Sequence, residues 1–210
     1  MDFSQFINIL KVKLSGPLPG REGQLVMAPK PVDEARFGGE EQVNARKGAV
    51  MILFYEDQNK FFFPLIKRPE YDGTHAGQMA LPGGKVEPED GSLSQTALRE
   101  TEEEIGVKAS DIEVIGALSQ LYIPPSNFLV SPFIGLIRHK PLFIPDPREV
   151  AAVVPCDFDV LIDQDYHKST MIKVNPGFSL KAPYFDINKE VVWGATAMML
   201  GELVSIWNRK

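Results

Sequence analysis

The stretch 83–107, GGKVEPEDGSLSQTALRETEEEIGV, joins a glycine-rich turn to an unusually acidic helix. Ser92 followed by Gln95 is a capping-box pattern, which predicts a helix that begins there, runs to about Ile105 and stops at Gly106. Its last turns place glutamate at position 100 and at positions 102–104. Like charges three and four residues apart on a helix repel by roughly 0.2–0.5 kcal/mol per pair. A bound cation would turn this repulsion into attraction.

The spacing of these glutamates places three carboxylates on one face of the helix. Glu100, Glu103 and Glu104 stand at i, i+3 and i+4, whereas Glu102 points away from that face into solvent. Clustered carboxylates are ligands that hard divalent cations such as Mg²⁺ or Mn²⁺ prefer. The competing interpretation is a solvated acidic face after a tight turn, which is the commoner meaning of an isolated acidic run.

Two neighbours of the acidic cluster add to the cation interpretation. Arg99 lies four residues before Glu103, so it can pair with a carboxylate and hold its rotamer. The Pro-Gly-Gly turn lets the backbone approach the helix, and a carbonyl at Gly83 is a candidate further metal ligand.

The whole stretch resembles the Nudix box, in which a Gly precedes the run Arg-Glu-apolar-X-Glu-Glu-X-Gly-apolar at a fixed spacing. Gly84 and RETEEEIGV, residues 99–107, carry the match. The resemblance implies an α/β (α+β) fold, namely an α/β/α sandwich with a mixed β-sheet, and hydrolysis of a nucleoside diphosphate linked to another group. It implies that the metal ligands are Glu100, Glu103 and Glu104. The catalytic residues it implies are Glu103, Glu100 and Arg99, with one glutamate also acting as general base and the arginine orienting them.

Two positions depart from the box. The turn is one residue longer than usual, so the expected first Glu has no counterpart in register, and Asp90 or Glu89 would serve in its place. Thr101 stands where an aliphatic residue is usual. Because the resemblance assigns that early acid chiefly to loop support, the departures concern loop geometry more than metal chemistry.

The segment before the box, LIKRPEYDGTHAGQMALPGG at 65–84, resembles the motif that precedes the box in coenzyme A pyrophosphatases. The matching positions are Arg68, Gly77, Pro82, Gly83 and Gly84. One Arg of that motif is Gly73 here, which removes a bidentate phosphate ligand. The substrate-binding residues that the resemblance implies are Arg68, His75, Gly77, Gln78, Gly84 and Lys85.

Two classes of function follow from these motifs. The leading hypothesis is a divalent-metal-dependent hydrolase of coenzyme A or acyl-coenzyme A, yielding 4′-phosphopantetheine and adenosine 3′,5′-bisphosphate. Alternative substrates are ADP-ribose, a dinucleotide or a nucleoside triphosphate. The other class is a non-catalytic Nudix domain that senses a ligand, and the intact trio of glutamates favours the enzyme over it.

The composition of the chain bears on its partners and location. Its 210 residues carry a formal net charge of -6, which argues against binding to nucleic acid or an anionic membrane, since both need a basic surface. The single cysteine, Cys156, is expected as a buried thiol. No apolar run approaches the length of a membrane span, and the amino terminus lacks the pattern of a signal peptide. A soluble cytoplasmic protein is the simplest expectation.

The remaining patterns predict the organisation of the chain. Residues 1–45 form an amino-terminal surface helix and a Gly/Pro-rich extended arm packed on a Nudix hydrolase domain at 46–210. Whether the arm covers the site or mediates a homodimer is open. Strands are predicted at 48–57, 61–69, 112–119, 128–137, 184–187 and 190–193, with a closing helix at 195–208. The segments 70–91 and 122–127 are predicted loops, and 148–162 is ambiguous between strand and helix. Glu149 is expected to be solvated or salt-bridged, with assistance in catalysis as the alternative.

Overall fold

The computed structural model describes residues 1–38, 40–70, 77–175 and 177–209. Within these residues the chain forms five α-helices and eleven strands. In chain order they are α1 (Phe3–Leu14), α2 (Arg21–Leu25), β1 (Arg46–Asp57), β2 (Lys60–Lys67), β3 (Met79–Ala80), β4 (Gly83–Lys85), α3 (Leu93–Ile105), β5 (Glu113–Ala117), β6 (Leu121–Ile123), β7 (Phe128–Leu136), β8 (Ala152–Asp157), α4 (Phe158–Ile162), β9 (His167–Asn175), β10 (Phe178–Ile187), β11 (Glu190–Trp193) and α5 (Gly194–Asn208).

The main sheet is mixed and is built around β1. Its order in the described residues is β3-β2-β1-β7-β5, with β4 also pairing with β1, β6 with β7 and β8 with β2. β1 and β7 run parallel over nine residue pairs, from Arg46↔Phe128 to Phe54↔Leu136, whereas β2 and β4 pair with β1 in the antiparallel sense. The predicted hairpin between β1 and β2 is confirmed; it turns at Gln58 and Asn59, whose φ angles are 51° and 61°.

Both faces of the main sheet are covered, which is why β1 is continuously apolar from Ala49 to Tyr55. On one face, Met51 and Leu53 belong to a cluster with Ala97 and Ile105 of α3. On the other face, Ile52 and Phe54 belong to a larger cluster with residues of α1 and α5. Helices on both sides of a mixed sheet make the predicted α/β/α sandwich, and that prediction is confirmed.

The amino-terminal helix α1 contributes to the larger core cluster rather than lying only on the surface. Phe6 and Leu10 are completely buried, while Val12 on the opposite face is exposed. The ring of Phe6 stacks on Phe61 of β2 at a centroid distance of 4.4 Å and meets Trp207 of α5 at 5.2 Å. The helix therefore ties the start of the chain to both the sheet and the last helix.

A second sheet, in the order β11-β10-β9, packs beside α5. The segment after α2 joins this sheet through one bridge, in which Lys30 and Lys181 exchange backbone hydrogen bonds of 2.9 and 3.1 Å. None of the helices in the described part of the chain is both long and apolar enough to cross a membrane.

Several sequence-based predictions of local structure need correction. The segment 15–31, predicted as an arm or loop, contains α2, which packs closely on α5 at Gly23 and Glu202. Pairing with β2 and β1 makes short strands of β3 and β4, so 70–91 is less irregular than predicted, and β6 extends into the predicted loop 122–127. The ambiguous segment 148–162 is both strand and helix, namely β8 followed by α4. β9 has no counterpart among the predicted strands.

We expect Phe6→Ala to lower the free energy of unfolding by about 3–5 kcal/mol, because it empties a fully buried aromatic site. Denaturation by urea, followed by circular dichroism, measures the change. Val12→Ala, on the exposed face of the same helix, is the control and should stay within about 0.5 kcal/mol of the wild type. If the two variants were equally stable, α1 would not be part of the core.

Candidate active site

The acidic helix α3 is fixed at both ends by the residues that its sequence predicts. The hydroxyl of Ser92 accepts a hydrogen bond of 3.3 Å from the backbone N–H of Gln95. At the other end Gly106 takes the left-handed conformation, with φ of 72°, and its N–H donates to the carbonyl of Glu102 at 2.9 Å. The predicted bounds of this helix are therefore confirmed, and they set which glutamates face the sheet.

Arg99 binds groups from both the helix and the loop before it. Its Nη1 lies 2.8 Å from a carboxylate oxygen of Glu103 and 3.0 Å from one of Glu100. Its Nη2 donates to the carbonyl of Lys85 at 3.0 Å, and its Nε donates to Asp90 at the same distance. One guanidinium thus holds the longer turn and two of the glutamates in a single arrangement, in agreement with the predicted pairing to Glu103.

Asp90, rather than Glu89, is the acid that contacts Arg99. Besides the arginine, its carboxylate accepts 2.9 Å hydrogen bonds from the N–H of Glu87 and from the hydroxyl of Thr96. These donors, with Arg99 first among them, hold the pKa of Asp90 well below its usual value. Glu89 is exposed. In this longer turn, Asp90 takes the place of the glutamate that supports the loop in the Nudix box.

Glu104 points inward and is almost completely buried, at 3% exposure. Its carboxylate accepts a hydrogen bond of 2.8 Å from the backbone N–H of Gly83. Burial raises the pKa of Glu104 to about 7, and the charges of Glu100 and Glu149 add to that shift. The Gly83 hydrogen bond and the charge of Arg68 oppose it. A carboxylate placed in this way favours a nearby positive charge.

The two glycines of the turn are required for different reasons. At Gly83, with φ of 149°, a Cβ atom would lie 2.3 Å from the carbonyl oxygen of Ala49 and 2.5 Å from the Cα of Val50. At Gly84 a Cβ would lie 2.4 Å from an oxygen of the Glu100 carboxylate. The first glycine therefore lets strand β4 pair closely with β1, and the second leaves room for a side chain of the acidic helix.

Two other residues of α3 have structural roles. Thr101, which replaces the usual aliphatic residue, is fully buried, and its hydroxyl donates to the carbonyl of Ala97 at 2.6 Å. A buried threonine whose hydroxyl is satisfied within its own helix can fill an apolar position. Glu102 faces away from the cluster, as predicted, and its carboxylate accepts from the N–H of Ala109 at 2.8 Å.

The donor set fits a hard divalent cation in its chemistry, although its members do not converge on one point. The charges of Glu103 and Glu149 act on Glu100, and those of Glu100 and Glu149 act on Glu104. Burial raises the pKa of both Glu100 and Glu104. Among the described residues, however, no group of three acidic, histidine or cysteine side chains is arranged to hold one ion. Glu103 is bound to Arg99 and Glu104 to Gly83. The carboxylate oxygens that a divalent cation needs are therefore present, but those of Glu103 and Glu104 accept hydrogen bonds from Arg99 and Gly83.

A cleft of about 440 Å³ opens beside the turn, and we call it the main cleft. Five parts of the chain line it: the segment before β1, strands β1 and β7, the turn 78–85, the loop after β6, and the second sheet with the start of α5. Its volume is in the range of small-molecule sites. Its lining combines the basic residues Arg36, Arg68 and Lys85 with apolar and aromatic ones that include Phe128, Leu180 and Trp193.

The predicted substrate-binding residues divide into three groups. Arg68, Gln78, Gly84 and Lys85 all line the main cleft, next to the acidic helix. Gly77 is outside the lining; it has φ of 66°, and a Cβ there would lie 2.3 Å from a carboxylate oxygen of Glu70. His75 lies outside the described residues. The structure thus brings most of this set together with the glutamates, and their role in binding stays a prediction.

The match to known families agrees with this geometry. The model of the NUDIX domain matches residues 45–174, which is more than half of the chain. The chain belongs to the Nudix family.

Relatives of the chain are named as Nudix hydrolases. Nudix hydrolase 15, mitochondrial, of Arabidopsis thaliana is 33% identical over 187 residues, which cover 86% of this chain and 63% of that protein. The uncharacterized Nudix hydrolase NudL of Yersinia enterocolitica is 33% identical over 141 residues, covering 66% of this chain and 70% of that protein. Among solved structures, the MutT protein of Methanosarcina mazei Go1 matches with a TM-score of 0.49 at 17% identity, over 79% of this chain and 96% of that one.

The family assignment supports a Nudix pyrophosphohydrolase enzyme, a class that generally uses divalent metal cations. The chain spans less than two thirds of the length of the Arabidopsis protein. The predicted cytoplasmic location, the division at residue 45 and the homodimer stay predictions; the name of the Arabidopsis relative places that protein in mitochondria.

Sequence reasoning missed one buried acid of this Nudix protein, Glu202 of α5, which is fully buried. Its carboxylate accepts hydrogen bonds from the N–H of Gly20 at 2.9 Å, from the side chain of Gln24 at 3.1 Å and from the N–H of Ser119 at 3.2 Å. These bonds join the start of the chain to the loop before β6. A single acid within the apolar run MMLGELVSIW is the signal that could have identified it, because buried carboxylates need partners.

We expect Asp90→Asn to be less stable than the wild type from about pH 7 to pH 5, and the difference to shrink as the pH falls below about 4. The folded pKa of Asp90 is depressed, so its stabilising effect is present above the unfolded pKa and is lost as the pH falls toward the folded value. Denaturant midpoints measured across this range give the difference. Glu89→Gln, at the exposed neighbouring acid, is the control and should show no such dependence.

We expect Gly83→Ala to affect mainly stability and Gly84→Ala to affect mainly activity. Gly83→Ala should destabilise the fold by more than about 1 kcal/mol, because its Cβ meets backbone atoms in a left-handed conformation. Gly84→Ala should cost less stability than Gly83→Ala but lose hydrolytic activity, because the atoms nearest its Cβ belong to the Glu100 carboxylate and not to the backbone. Gly16→Ala, whose Cβ would meet only Lys13 O at 3.6 Å, controls for the loss of a glycine. Full activity in Gly84→Ala would show that the position of the Glu100 carboxylate does not affect the reaction.

Proposed function

We propose that the protein is a divalent-cation-dependent pyrophosphohydrolase of coenzyme A or acyl-coenzyme A. Water adds across the P–O–P bond, giving 4′-phosphopantetheine, or its acyl form, and adenosine 3′,5′-bisphosphate. The cation would be Mg²⁺ or Mn²⁺, because the available ligands are carboxylate and carbonyl oxygens.

The observation that supports this proposal most directly is the contact between Glu100 and Gly84. Gly84 lines the main cleft, and the Glu100 carboxylate lies against it so closely that a Cβ atom has no room. The acidic helix therefore meets the cleft at the turn. A diphosphate that enters the cleft and lies on this turn would have the carboxylates of α3 on one side and the basic residues Arg68 and Lys85 near it.

We assign distinct roles to the residues around the turn. Glu100, Glu103 and Glu104 would hold the divalent cation, which would supply neutralisation of the phosphoryl charge and activation of the attacking water. Arg99 orients Glu100 and Glu103 through its short contacts with both. Glu103 is the most exposed of the three, at 58% of its side chain, and is the candidate to accept the proton of the attacking water. Arg68 lines the main cleft and lies near enough to Glu104 for its charge to lower the pKa of that carboxyl. We therefore assign Arg68 to binding the diphosphate.

Glu149 is a second candidate for the proton acceptor. It is exposed, and its charge acts on both Glu100 and Glu104, so it faces the same group of carboxylates from a different segment. The segment is held in place, because the N–H of Asp146 donates to the carbonyl of Glu104 at 3.0 Å. A carboxylate on a fixed loop beside the metal ligands can act as a general base. The exposure of Glu149 agrees equally with the first expectation, a solvated surface residue, and no ion pair of Glu149 is found among the described residues.

The lining of the main cleft favours a long, partly apolar substrate. Phe128, Leu180 and Trp193 offer apolar and aromatic surface next to the basic residues. Coenzyme A combines anionic phosphates and an adenine ring with a flexible pantetheine arm, so it can use both kinds of surface. ADP-ribose, a dinucleotide or a nucleoside triphosphate would use the basic residues but leave more of the apolar lining uncovered.

We expect Glu103→Gln to reduce hydrolysis of coenzyme A by about 100-fold or more, with stability close to that of the wild type, because the side chain is exposed. Mass spectrometry of the products measures the reaction, and chelation by EDTA should abolish it until Mg²⁺ or Mn²⁺ is restored. Glu102→Gln, one residue away on the opposite face, is the matched control and should retain activity.

The same assay separates the alternatives. Faster cleavage of ADP-ribose, a dinucleotide or a nucleoside triphosphate than of coenzyme A would change the substrate but keep the reaction. Full activity in Glu103→Gln would move the base to another carboxylate, and Glu149→Gln tests that assignment. The absence of product from every diphosphate in the panel, with either metal, would point instead to a non-catalytic Nudix domain that binds a ligand.

A further inference from the structure

Arg36 lines the main cleft from a short 3-10 turn, Glu34–Phe37, in the segment before β1. Its guanidinium nitrogen Nη1 is inaccessible to solvent and has no hydrogen-bond partner, and among the described residues it is the only buried side-chain nitrogen or oxygen in that condition. Buried polar groups are normally paired, and an unpaired charged donor is unfavourable. A buried Nη1 without a partner is therefore unusual for a residue with a purely structural role.

The backbone that carries Arg36 is held on both sides. Asp33 caps the turn by accepting from the N–H of Ala35 at 3.2 Å, and the side-chain amide of Gln42 donates to the carbonyl of Arg36 itself at 3.3 Å. Arg21 binds Glu34 at 2.6 Å and lies over the ring of Phe37 at 4.8 Å. The arginine is thus placed in the cleft by a fixed turn.

Two acids close to Arg36 in the described part of the chain are engaged with other groups. Glu34 pairs with Arg21, and Asp33 accepts from the backbone of its own turn. Burial lowers the pKa of Arg36, and the charge of Asp33 opposes that shift only in part. A structural arginine would be expected to pair with a carboxylate or a carbonyl. Within the part of the chain that the structure describes, Nη1 of Arg36 therefore has no partner and is left for another group, such as a bound anion.

The position of Arg36 differs from that of the other basic residues in the main cleft. Arg68 acts on Glu104, and the carbonyl of Lys85 binds Arg99, so both belong to the side of the cleft that meets α3. Arg36 also borders a second, smaller cavity, which it shares with Gln24, Gln120 and other residues that are not part of the acidic turn. The cleft therefore has basic groups at two places.

We propose that Arg36 binds a phosphate monoester of the substrate that is separate from the diphosphate being cleaved. The proposal rests on the proposed function and names the feature of the substrate that the main cleft selects. A guanidinium fork matches the oxygens of a terminal phosphate. The Arg36 side chain already lines the cleft, and a rotation of its guanidinium toward a bound phosphate would give Nη1 a partner. In coenzyme A this monoester is the 3′-phosphate of the ribose.

Calorimetric titration with adenosine 3′,5′-bisphosphate and with adenosine 5′-monophosphate tests the proposal without hydrolysis. We expect the wild type to bind the bisphosphate at least about tenfold more tightly, and Arg36→Gln to reduce this preference to within about threefold. Arg36→Lys, which keeps the charge without the fork, should lie between them. Arg138→Gln, at an exposed arginine paired with Glu113, is the control and should keep the preference.

Thermal unfolding distinguishes a binding role from a structural one. Without ligand, Arg36→Gln should melt at or above the temperature of the wild type, because the substitution removes an unpaired buried donor. Adenosine 3′,5′-bisphosphate should raise the melting temperature of the wild type more than that of the variant. A ligand-free variant that melts several degrees lower would make Arg36 a structural residue and overturn the proposal.

The two proposals fail in different ways. Hydrolysis of coenzyme A without any preference for the bisphosphate over the monophosphate, or with an equal preference in Arg36→Gln, would overturn the role of Arg36 and leave the activity in place. A preference that depends on Arg36 in a protein that cleaves no diphosphate would overturn the activity and support the binding site.

Discussion

The guanidinium of Arg99 is the contact on which the candidate site depends. It binds Asp90 and the carbonyl of Lys85 in the loop, and Glu100 and Glu103 on α3. Without the positive charge of Arg99, the glutamates on this face of the helix would repel one another. Asp90 and the carbonyl of Lys85 in the longer turn would also lose their shared donor. One side chain therefore fixes the loop conformation and the direction of two carboxylates together. The rest of the site is arranged around that fixed point, with Glu104 held separately by the N–H of Gly83.

The core explains why so polar a helix can be held in place. α3 presents Ala97 and Ile105 to the residues of β1 that face it, and Thr101 is buried between them in sequence with its hydroxyl satisfied. The charged side chains of the site lie on one face of α3. The other face packs on β1, whose side chains are apolar on both faces of the sheet. β1 also pairs with β4, so both the turn and the helix are positioned by contacts with this strand. Geometry at the site is thereby coupled to the centre of the sheet.

Local signals made part of this structure predictable. The cap at Ser92, the stop at Gly106 and the pairing of Arg99 with Glu103 lie within one helix, so spacing in the sequence gives their positions in space. Asp90 was one of two candidates, and only the folded loop shows which one the arginine contacts. The part of the cleft lining that lies outside residues 68–85 could not be predicted in this way. Arg36 and Trp193 come from opposite ends of the chain and line the same cleft. The bridge between Lys30 and Lys181 and the hydrogen bond from Gly20 to the buried Glu202 join those two ends.

The extent of the family match has a consequence for how this protein is compared with others. Residues 45–174 contain the acidic helix and its turn, whereas Arg36 precedes that range and Leu180 and Trp193 follow it. A fragment cut at the limits of the matched domain would keep the carboxylates and Arg99 and would lose two walls of the main cleft. Proteins aligned only over the shared domain can therefore have the same chemistry and differ in the surfaces that select a ligand. Grouping them by substrate requires the flanking segments.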